Sequence, residues 1–214
     1  MNARQSAAET ESVSEEGAPS ARSADRILRA AAELAKTHGV AGATIAAVCR
    51  RSGLPVSSVY WHFEDKDGLF SEVIRHSFAE WLVTVPRWEA EDGTTLGQGV
   101  RNVVGASYRT LGMIPDFMRV GMQVLLEKGD TYGKTRRAFL DCRLQVRRMI
   151  SAWVRRVEPS ASADRADDVA TLVVAFADGA AVGSQIYPDW DSEEYVDLMS
   201  GMLTCLPPDD TAAY

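Results

Sequence analysis

The sequence has few cysteines, and none at a spacing that would bind metal or build a disulfide framework. Its three cysteines, Cys49, Cys142 and Cys205, lie far apart in a chain of 214 residues, and no CxxC pair occurs. The three histidines also lack an i, i+4 pair or a carboxylate at metal-ligand spacing. We therefore expect a protein of a reducing compartment, with no metal and no cofactor.

Long hydrophobic runs are missing as well. The longest charge-free apolar stretch, residues 169–177, is well short of the ~18–20 residues that span a bilayer. No apolar core of a secretory signal is visible near the first residue, and no alternating apolar and polar pattern predicts strands. These absences predict a helical cytoplasmic protein with no membrane partner.

Motifs of catalysis are also absent from the sequence. Gly97 and Gly99 resemble a phosphate-binding loop only superficially, because no strand precedes them and no lysine follows in register. No G-x-S-x-G sequence occurs either. We expect the protein not to be an enzyme.

Positive charge is scarce overall but unevenly placed. The net charge of −7 at first argues against a nucleic-acid partner. Residues 1–21 carry −3 and residues 71–214 carry −6, whereas residues 22–70 hold seven Lys or Arg against five Asp or Glu, a balance of +2. A phosphate-binding surface has to be basic. Residues 22–70 are therefore the candidate for a nucleic-acid contact.

The strongest local pattern lies in residues 44–69, TIAAVCRRSGLPVSSVYWHFEDKDGL. Apolar residues at i, i+3 and i+4 from Ile45 predict a short helix, which Gly53 ends. Pro55 suits the first turn of a second helix over residues 55–61, because its missing N–H would be unpaired there in any case. Such a pair is typical of a helix-turn-helix. An ordinary pair of core helices would give the same pattern.

A family resemblance is carried by Thr44, Val48, Gly53, Tyr60, Trp61, His62, Phe63, Lys66 and Leu69. Together they resemble the TetR family of bacterial transcriptional regulators, whose pattern runs T-x-x-x-I-A-x-x-A-G-V-S-x-x-x-[LIV]-Y-x-[HY]-F-x-x-K-x-x-L. Cys49, Ser52 and Pro55 depart from this pattern without breaking its geometry. The resemblance covers about the first third of the chain after the tail; the rest is similar only in length and helical pattern.

This resemblance implies an all-α fold, with an N-terminal three-helix helix-turn-helix DNA-binding domain and a larger C-terminal helical ligand-binding and dimerisation domain. It implies a ligand-responsive repressor that binds a palindromic operator in double-stranded DNA as a homodimer and answers to a small apolar effector. An enzyme or ligand carrier that has lost DNA binding stays open, as does a regulator without a small-molecule effector. The expected domains are a disordered acidic tail (1–21), the DNA-binding domain (22–68), the effector and dimerisation domain (69–206) and a tail (207–214).

The candidate DNA contacts are Arg26, Thr44, Arg50, Arg51, Pro55, Val56, Ser57, Ser58, Tyr60, Trp61, His62 and Lys66. Val56 and Val59 cannot both face outward, so we expect Val59 in the core and Val56 against thymine methyl groups. By the resemblance, Lys66 meets phosphate. Trp61 either lines the groove or packs on Arg51.

Further apolar periodicity predicts helices over about residues 23–38, 65–83, 96–111, 115–129, 132–157, 163–186 and 192–205. The helix over residues 65–83 starts beside the DNA-binding helices and ends in the second domain, so it is the only visible mechanical link. The arginines of the helix over residues 132–157 favour a solvated face over an acidic-ligand site.

Aromatic and methionine residues are core by default, yet they also suit a ligand cavity. The candidate effector pocket is Phe78, Trp81, Tyr108, Met113, Phe117, Met118, Met122, Phe139, Trp153 and Phe176. The last two long helices carry much apolar surface, with small residues that allow a close approach. The candidate dimer interface is Leu172, Phe176, Gly179, Ala180, Gly183, Leu198, Met199 and Met202.

Overall fold

The computed structural model describes residues 5–89, 93–111, 114–127, 129–187 and 189–206, with no side-chain description for residues 5–19, 108–111 and 192. Helices are the regular structure of these ranges, and no strand occurs in them. The helices are α1 (Gln5–Gly42), α2 (Ile45–Ser52), α3 (Val56–His62), α4 (Lys66–Thr84), α5 (Leu96–Leu111), α6 (Asp116–Leu126), α7 (Gly133–Val157), α8 (Ala163–Ile186) and α9 (Ser192–Thr204). The predicted all-α class is confirmed.

The chain divides into two compact units. The first comprises Met1–Ser77 and Asp116–Phe139, and the second comprises Phe78–Pro115 and Leu140–Tyr214. Helices α4 and α7 each contribute residues to both units. The first unit therefore includes α6 and the start of α7, which the sequence pattern had not grouped with the helix-turn-helix. The predicted domain boundaries stay a prediction.

Helix α1 extends beyond the predicted residues 23–38 at both ends. Its backbone is helical from Gln5, where the sequence predicted a disordered tail. That prediction weighed only the lack of apolar residues to bury, whereas Ala and Glu, which are frequent there, have high helix propensity. Residues 1–4 and the predicted tail 207–214 lie outside the described residues. At its other end, α1 is interrupted at Gly39 (φ 71°, ψ 166°) and resumes for one turn.

The core of the first unit is apolar and includes small residues where helices meet. Helix α1 packs against both α2 and α6, and close approach is helped because its inward positions are mostly alanines. Buried residues of α1 to α4 include Ile27, Ala31, Ala35, Val48, Val59, Leu69, Phe70 and Ile74. On α6, Gly121 leaves the space that Phe139 fills, since a Cβ there would lie 2.1 Å from Cδ2 of that ring.

One carboxylate joins the N-termini of α4 and α7. Asp67, in the first turn of α4, accepts hydrogen bonds from the backbone N–H groups of Lys134 and Thr135, each at 2.8 Å. The Thr135 hydroxyl donates to the same carboxylate at 2.6 Å. These N–H groups have no partner within α7, and a negative charge suits the positive end of both helices. Asp67 therefore caps α7 from a position 67 residues earlier in the chain.

Lys134 adds ion pairs to this junction. Its Nζ lies 2.7 Å from Glu64 and 3.0 Å from Asp65. These hydrogen bonds raise the pKa of Lys134. The hydrogen bond from the Gly68 N–H has the largest effect on Asp65, and that from Lys134 has the next largest. Both hold the pKa of Asp65 below its ordinary value. The start of α7 is thus fixed to the start of α4 by charge as well as by capping.

The second unit is organised around Trp153 of α7. Its ring is fully buried, and its indole N–H donates to the Glu89 carbonyl at 2.9 Å. The ring centroid lies 5.0 Å from that of Trp88. Arg156 donates to the Trp88 carbonyl at 2.9 Å, so the segment before α5 is held on α7 at two points. Gly99 of α5 makes room for the indole, because a Cβ there would lie 2.0 Å from Cζ2.

The arginines of α7 form a solvated face only in part, which corrects the prediction. Arg143 pairs with Asp178 of α8, and Arg147 lies 3.8 Å from Asp167. Burial raises the pKa of Asp178, against the opposing effect of Arg143. Sequence periodicity cannot distinguish an arginine on a solvated face from one that pairs with the next helix. The exposed arginines of α7 are Arg137, Arg148, Arg155 and Arg156.

The packing at Gly99 gives a stability prediction. The change Gly99→Ala places a methyl group inside the Trp153 indole, and overpacking of this kind costs about 1–3 kcal/mol. The control is Gly201→Ala, since a Cβ at Gly201 meets nothing within 4 Å. Urea denaturation at a fixed protein concentration should show a lower free energy of unfolding for Gly99→Ala, and an equal or higher one for the control. Equal stability of the two variants would contradict the packing described here.

Candidate nucleic-acid interface

Helix α2 is short and is defined at both ends by its own sequence. The Thr44 hydroxyl accepts a hydrogen bond from the Ala47 N–H at 3.2 Å, which caps the helix start. Gly53 ends it in the left-handed conformation (φ 66°), as predicted. Arg50 and Arg51 lie in the last turn, where cations suit the helix dipole. The turn to α3 therefore leaves two guanidinium groups near its start.

Helix α3 buries one side and exposes the other. Pro55 stands at its N-cap, and Val59 is 1% exposed. Val56, by contrast, is 52% exposed. The predicted division of these two valines, one in the core and one outward, is confirmed. Phe63, which follows the last residue of α3, is also buried.

The outward side of the pair forms what we term the recognition face, defined by Arg50, Val56, Ser57, Tyr60 and Trp61. All five residues are exposed. The four from α3 lie at i, i+1, i+4 and i+5, which share one side of a helix. They offer an apolar group, two hydroxyls and an indole within two turns, and Arg50 of α2 adds a cation. Such a mixture can bind phosphate oxygens and the edges or methyl groups of bases.

Trp61 contacts one aromatic neighbour, His62. Its ring lies 4.6 Å from that of His62 in an edge-to-face arrangement, and the Trp61 side chain is 69% exposed. Arg51 pairs with Glu33 of α1. The indole of Trp61 is therefore available at the surface, and both alternatives raised for it stay predictions.

Three of the predicted DNA contacts also have structural partners inside the first unit. The guanidinium of Arg26 donates to the Ser52 carbonyl at 2.6 Å, at the end of α2. The Thr44 hydroxyl is occupied by its capping bond. Lys66 donates to the Ala41 carbonyl at 2.9 Å, and burial lowers the pKa of its ammonium group. Sequence reasoning assigned the lysine to phosphate alone and missed its bond to the end of α1.

The predicted pocket residues do not all lie in one unit. Phe117, Met118, Met122 and Phe139 belong to the first unit, whereas Phe78, Trp81, Trp153 and Phe176 belong to the second. The side chain of Tyr108 and the whole of Met113 lie outside the described residues. Phe139 and Trp153 fill the space beside glycines of their own units. A cavity lined by this set stays a prediction.

The predicted dimer residues divide into buried and exposed groups. Ala180 and Met199 are buried within the chain, and Gly183 lies against the Trp190 ring, where a Cβ would meet Cζ3 at 2.5 Å. Gly179 is open, with nothing within 4 Å of a Cβ built on it. The exposed members with large side chains are Leu172, Leu198 and Met202. Small size alone could not tell which residues serve contacts within the chain.

Helix α8 also carries unusual apolar surface. By length and composition, α8 could cross a membrane. On its own, the charge-free run at residues 169–177 was too short to predict this. A single such helix is weak evidence for a span, because core helices pass the same test. Only 33% of its apolar window is buried within the chain. The uncovered remainder requires either a partner surface or exposure to water.

Comparison with known proteins places the recognition face in a familiar domain. The family model of the bacterial regulatory proteins of the tetR family matches residues 27–73. The HTH-type transcriptional regulator BetI of Stenotrophomonas maltophilia (strain R551-3) is 29% identical over 84 residues, which cover 39% of this chain. The alignment spans only 43% of that relative's length.

Solved structures resemble the whole fold. A transcriptional regulator from Rhodococcus sp. Rha1 superposes with a TM-score of 0.64 over 84% of this chain and 95% of its own, at 22% identity. The multidrug binding protein EbrR, solved in complex with imidazole, superposes with a TM-score of 0.59 over 86% of this chain and 91% of its own, at 19% identity.

The matched residues 27–73 contain α2, α3 and the start of α4, the elements that form and support the recognition face. A helix-turn-helix with a basic balance, the family match over it and an all-helical fold shared with other regulators agree with one another. Residues 27–73 therefore form a domain of the bacterial regulatory proteins of the tetR family, and the chain as a whole shares its fold with these solved structures.

Proposed function

We propose that this protein is a cytoplasmic repressor that binds a palindromic operator as a homodimer. The observation that carries the proposal is the recognition face, where exposed side chains of α3 stand on a buried base at Val59 and Phe63. In this proposal α3 enters the major groove. A two-fold dimer then reads two half-sites about one helical turn, ~34 Å, apart.

The proposed contacts divide by chemistry. Arg50, Tyr60 and His62 bind phosphate oxygens, because phosphate contacts make up at least half of such interfaces. Val56 meets thymine methyl groups, and Ser57 donates or accepts at a base edge. Arg50 is the cleanest phosphate probe of the set, since it is exposed and lies at the end of α2. Lys66 is a poorer probe, because its removal also breaks the bond to Ala41.

Charge elsewhere supports this choice of face. An open groove of about 840 Å³ on α9 is lined by four carboxylates and by apolar residues. The carboxylates are Asp191, Glu193, Glu194 and Asp197, of which Asp197 pairs with Arg101. Such a surface repels phosphate. Duplex binding is therefore concentrated at the recognition face.

Uncovered apolar side chains on α8 and α9 support the proposed dimer. Leu172 is 55% exposed and Met202 is 72% exposed, and Leu198, at 57%, lines the groove on α9. The open Gly179 allows a partner helix to approach closely. In the proposed dimer these residues pack against their symmetry copies.

We retain a small apolar effector as part of the proposal. One protein of the same fold, EbrR, is described as a multidrug binding protein and was solved with imidazole, and aromatic and methionine side chains are abundant in the helices after α3. Effector and duplex would then weaken each other's binding reciprocally, typically by about 1–3 kcal/mol. The alternative is a ligand carrier or enzyme that has lost DNA binding, and retention of specific duplexes would exclude it.

The phosphate role of Arg50 gives the test of duplex binding. We expect Arg50→Ala to weaken binding to every duplex sequence, because one cation fewer is available to replace condensed counterions. The slope of log K against log salt should become shallower by about one. Fluorescence anisotropy with random-sequence duplexes between low and moderate salt measures both quantities.

The matched control is Arg155→Ala, which removes an exposed arginine from α7, in the second unit. This control should leave affinity and slope at the wild-type values. If Arg155→Ala flattened the slope and Arg50→Ala did not, the recognition face would not be the phosphate-binding surface.

The dimer proposal is tested at an exposed position. Leu198→Arg places a charge in the proposed interface without filling the core, unlike a change at the buried Ala180. We expect sedimentation to show monomers for this variant and dimers for the control Leu126→Arg, since Leu126 is exposed on α6. A dimer that survives Leu198→Arg would place the interface on another surface.

A further inference from the structure

The break in α1 at Gly39 leaves one backbone N–H without its usual helical partner. Gly39 adopts φ 71° and ψ 166°, so the N–H of Val40 no longer points toward the preceding turn. Val40 is buried, and an unpaired buried N–H is costly. A group outside α1 has to satisfy this N–H.

The side-chain amide of Gln123 on α6 does so. Its Oε1 accepts a hydrogen bond from the Val40 N–H at 2.8 Å. Its Nε2 donates to the Ala35 carbonyl at 3.4 Å, a longer and weaker bond. A side-chain amide presents a donor and an acceptor side by side, as a peptide group does. Gln123 thus stands in for the helical carbonyl that the Val40 N–H lost at the break, and it adds a second, weaker bond to α1 at Ala35.

The segment held in this way leads directly into the helix-turn-helix. After the break, the Ala43 N–H bonds to the Gly39 carbonyl, and Thr44 follows as the N-cap of α2. Lys66, at the start of α4, binds the Ala41 carbonyl in the same turn. The direction in which the chain leaves this turn therefore sets the direction of α2. It sets that of α3 as well, since α3 follows α2 after a tight turn.

We propose that Gln123 is a positioning residue for DNA recognition. Through one amide, α6 fixes the kink at Gly39 and with it the orientation in which the recognition face is presented. Gln123 itself touches no DNA in this proposal. Loss of the amide frees the last turn of α1, so the average orientation of α2 and α3 broadens while their own structure is retained.

Such a role predicts a loss of discrimination rather than a uniform loss of affinity. Base-edge contacts depend on the placement of α3, whereas attraction to phosphate depends mainly on charge, which a change at Gln123 leaves untouched. A residue that only stabilises the fold would instead affect both kinds of binding equally, through the fraction of folded protein.

The test uses the full-length chain and two variants at this position. Gln123→Ala removes the amide, and Gln123→Met removes it while keeping the length of the side chain. The control Val120→Ala truncates a buried side chain on the same helix without touching the amide. Affinities are measured for the duplex that the wild type selects from a random pool and for unselected random duplex, well below each melting temperature.

We expect both Gln123 variants to bind the selected duplex at least about tenfold more weakly, the equivalent of one lost base contact. Their affinity for random duplex should stay within about twofold of wild type. Val120→Ala should melt at a lower temperature with both affinities unchanged. Wild-type discrimination in Gln123→Met, or an equal loss of discrimination in Val120→Ala, would overturn the inference.

The inference rests on the duplex binding proposed above, and the two fail differently. A wild-type protein that selects no duplex from the pool would contradict the proposed function itself. A wild-type protein that selects one, together with Gln123 variants that discriminate as well as it does, would contradict only the positioning role.

Discussion

Helix α3, which carries most of the recognition face, depends for its stability on packing against the neighbouring helices. Helix α3 has only seven residues, and isolated helices shorter than about 12–15 residues are marginal in water. Its stability comes from the burial of Val59 and Phe63 against the neighbouring helices. Because that burial uses one side only, the other side stays exposed. The proposed function follows from this division of a short helix into a buried and an exposed side.

The helices around α3 are held together by hydrogen bonds between residues that lie far apart in the sequence. Lys66 binds the end of α1, Gln123 spans the break in α1, and Asp67 caps α7. Each of these side chains satisfies backbone groups that a helix end or a kink leaves unpaired, so each bond fixes the direction of a helix as well as its stability. Helix α7, fixed at its start to α4, joins α4 as a second helix that contributes to both units. The sequence had suggested α4 alone.

Sequence patterns within a few residues predicted most of the helices. The hydrogen bonds between residues far apart in the sequence could not be predicted. Apolar periodicity and the glycine at position 53 predicted the helices, because those signals act within a few residues. The outward Val56 and inward Val59 followed from the same reasoning. Gln123 and Asp67 gave no such signal, since their partners lie 83 and 67 residues away. Small residues such as Gly183 suggested a partner helix, but Trp190 of the same chain occupies that space.

In the proposed function, duplex binds at residues 44–66 and not at the acidic groove on α9. Amide hydrogen exchange, measured by mass spectrometry with and without a duplex selected by the protein, tests this directly. We expect slower exchange on duplex binding in peptides that cover α2, α3 and the start of α4, and no slowing on the acidic surface of α9. Protection of α9 with unchanged exchange in α2 and α3 would contradict the proposed function.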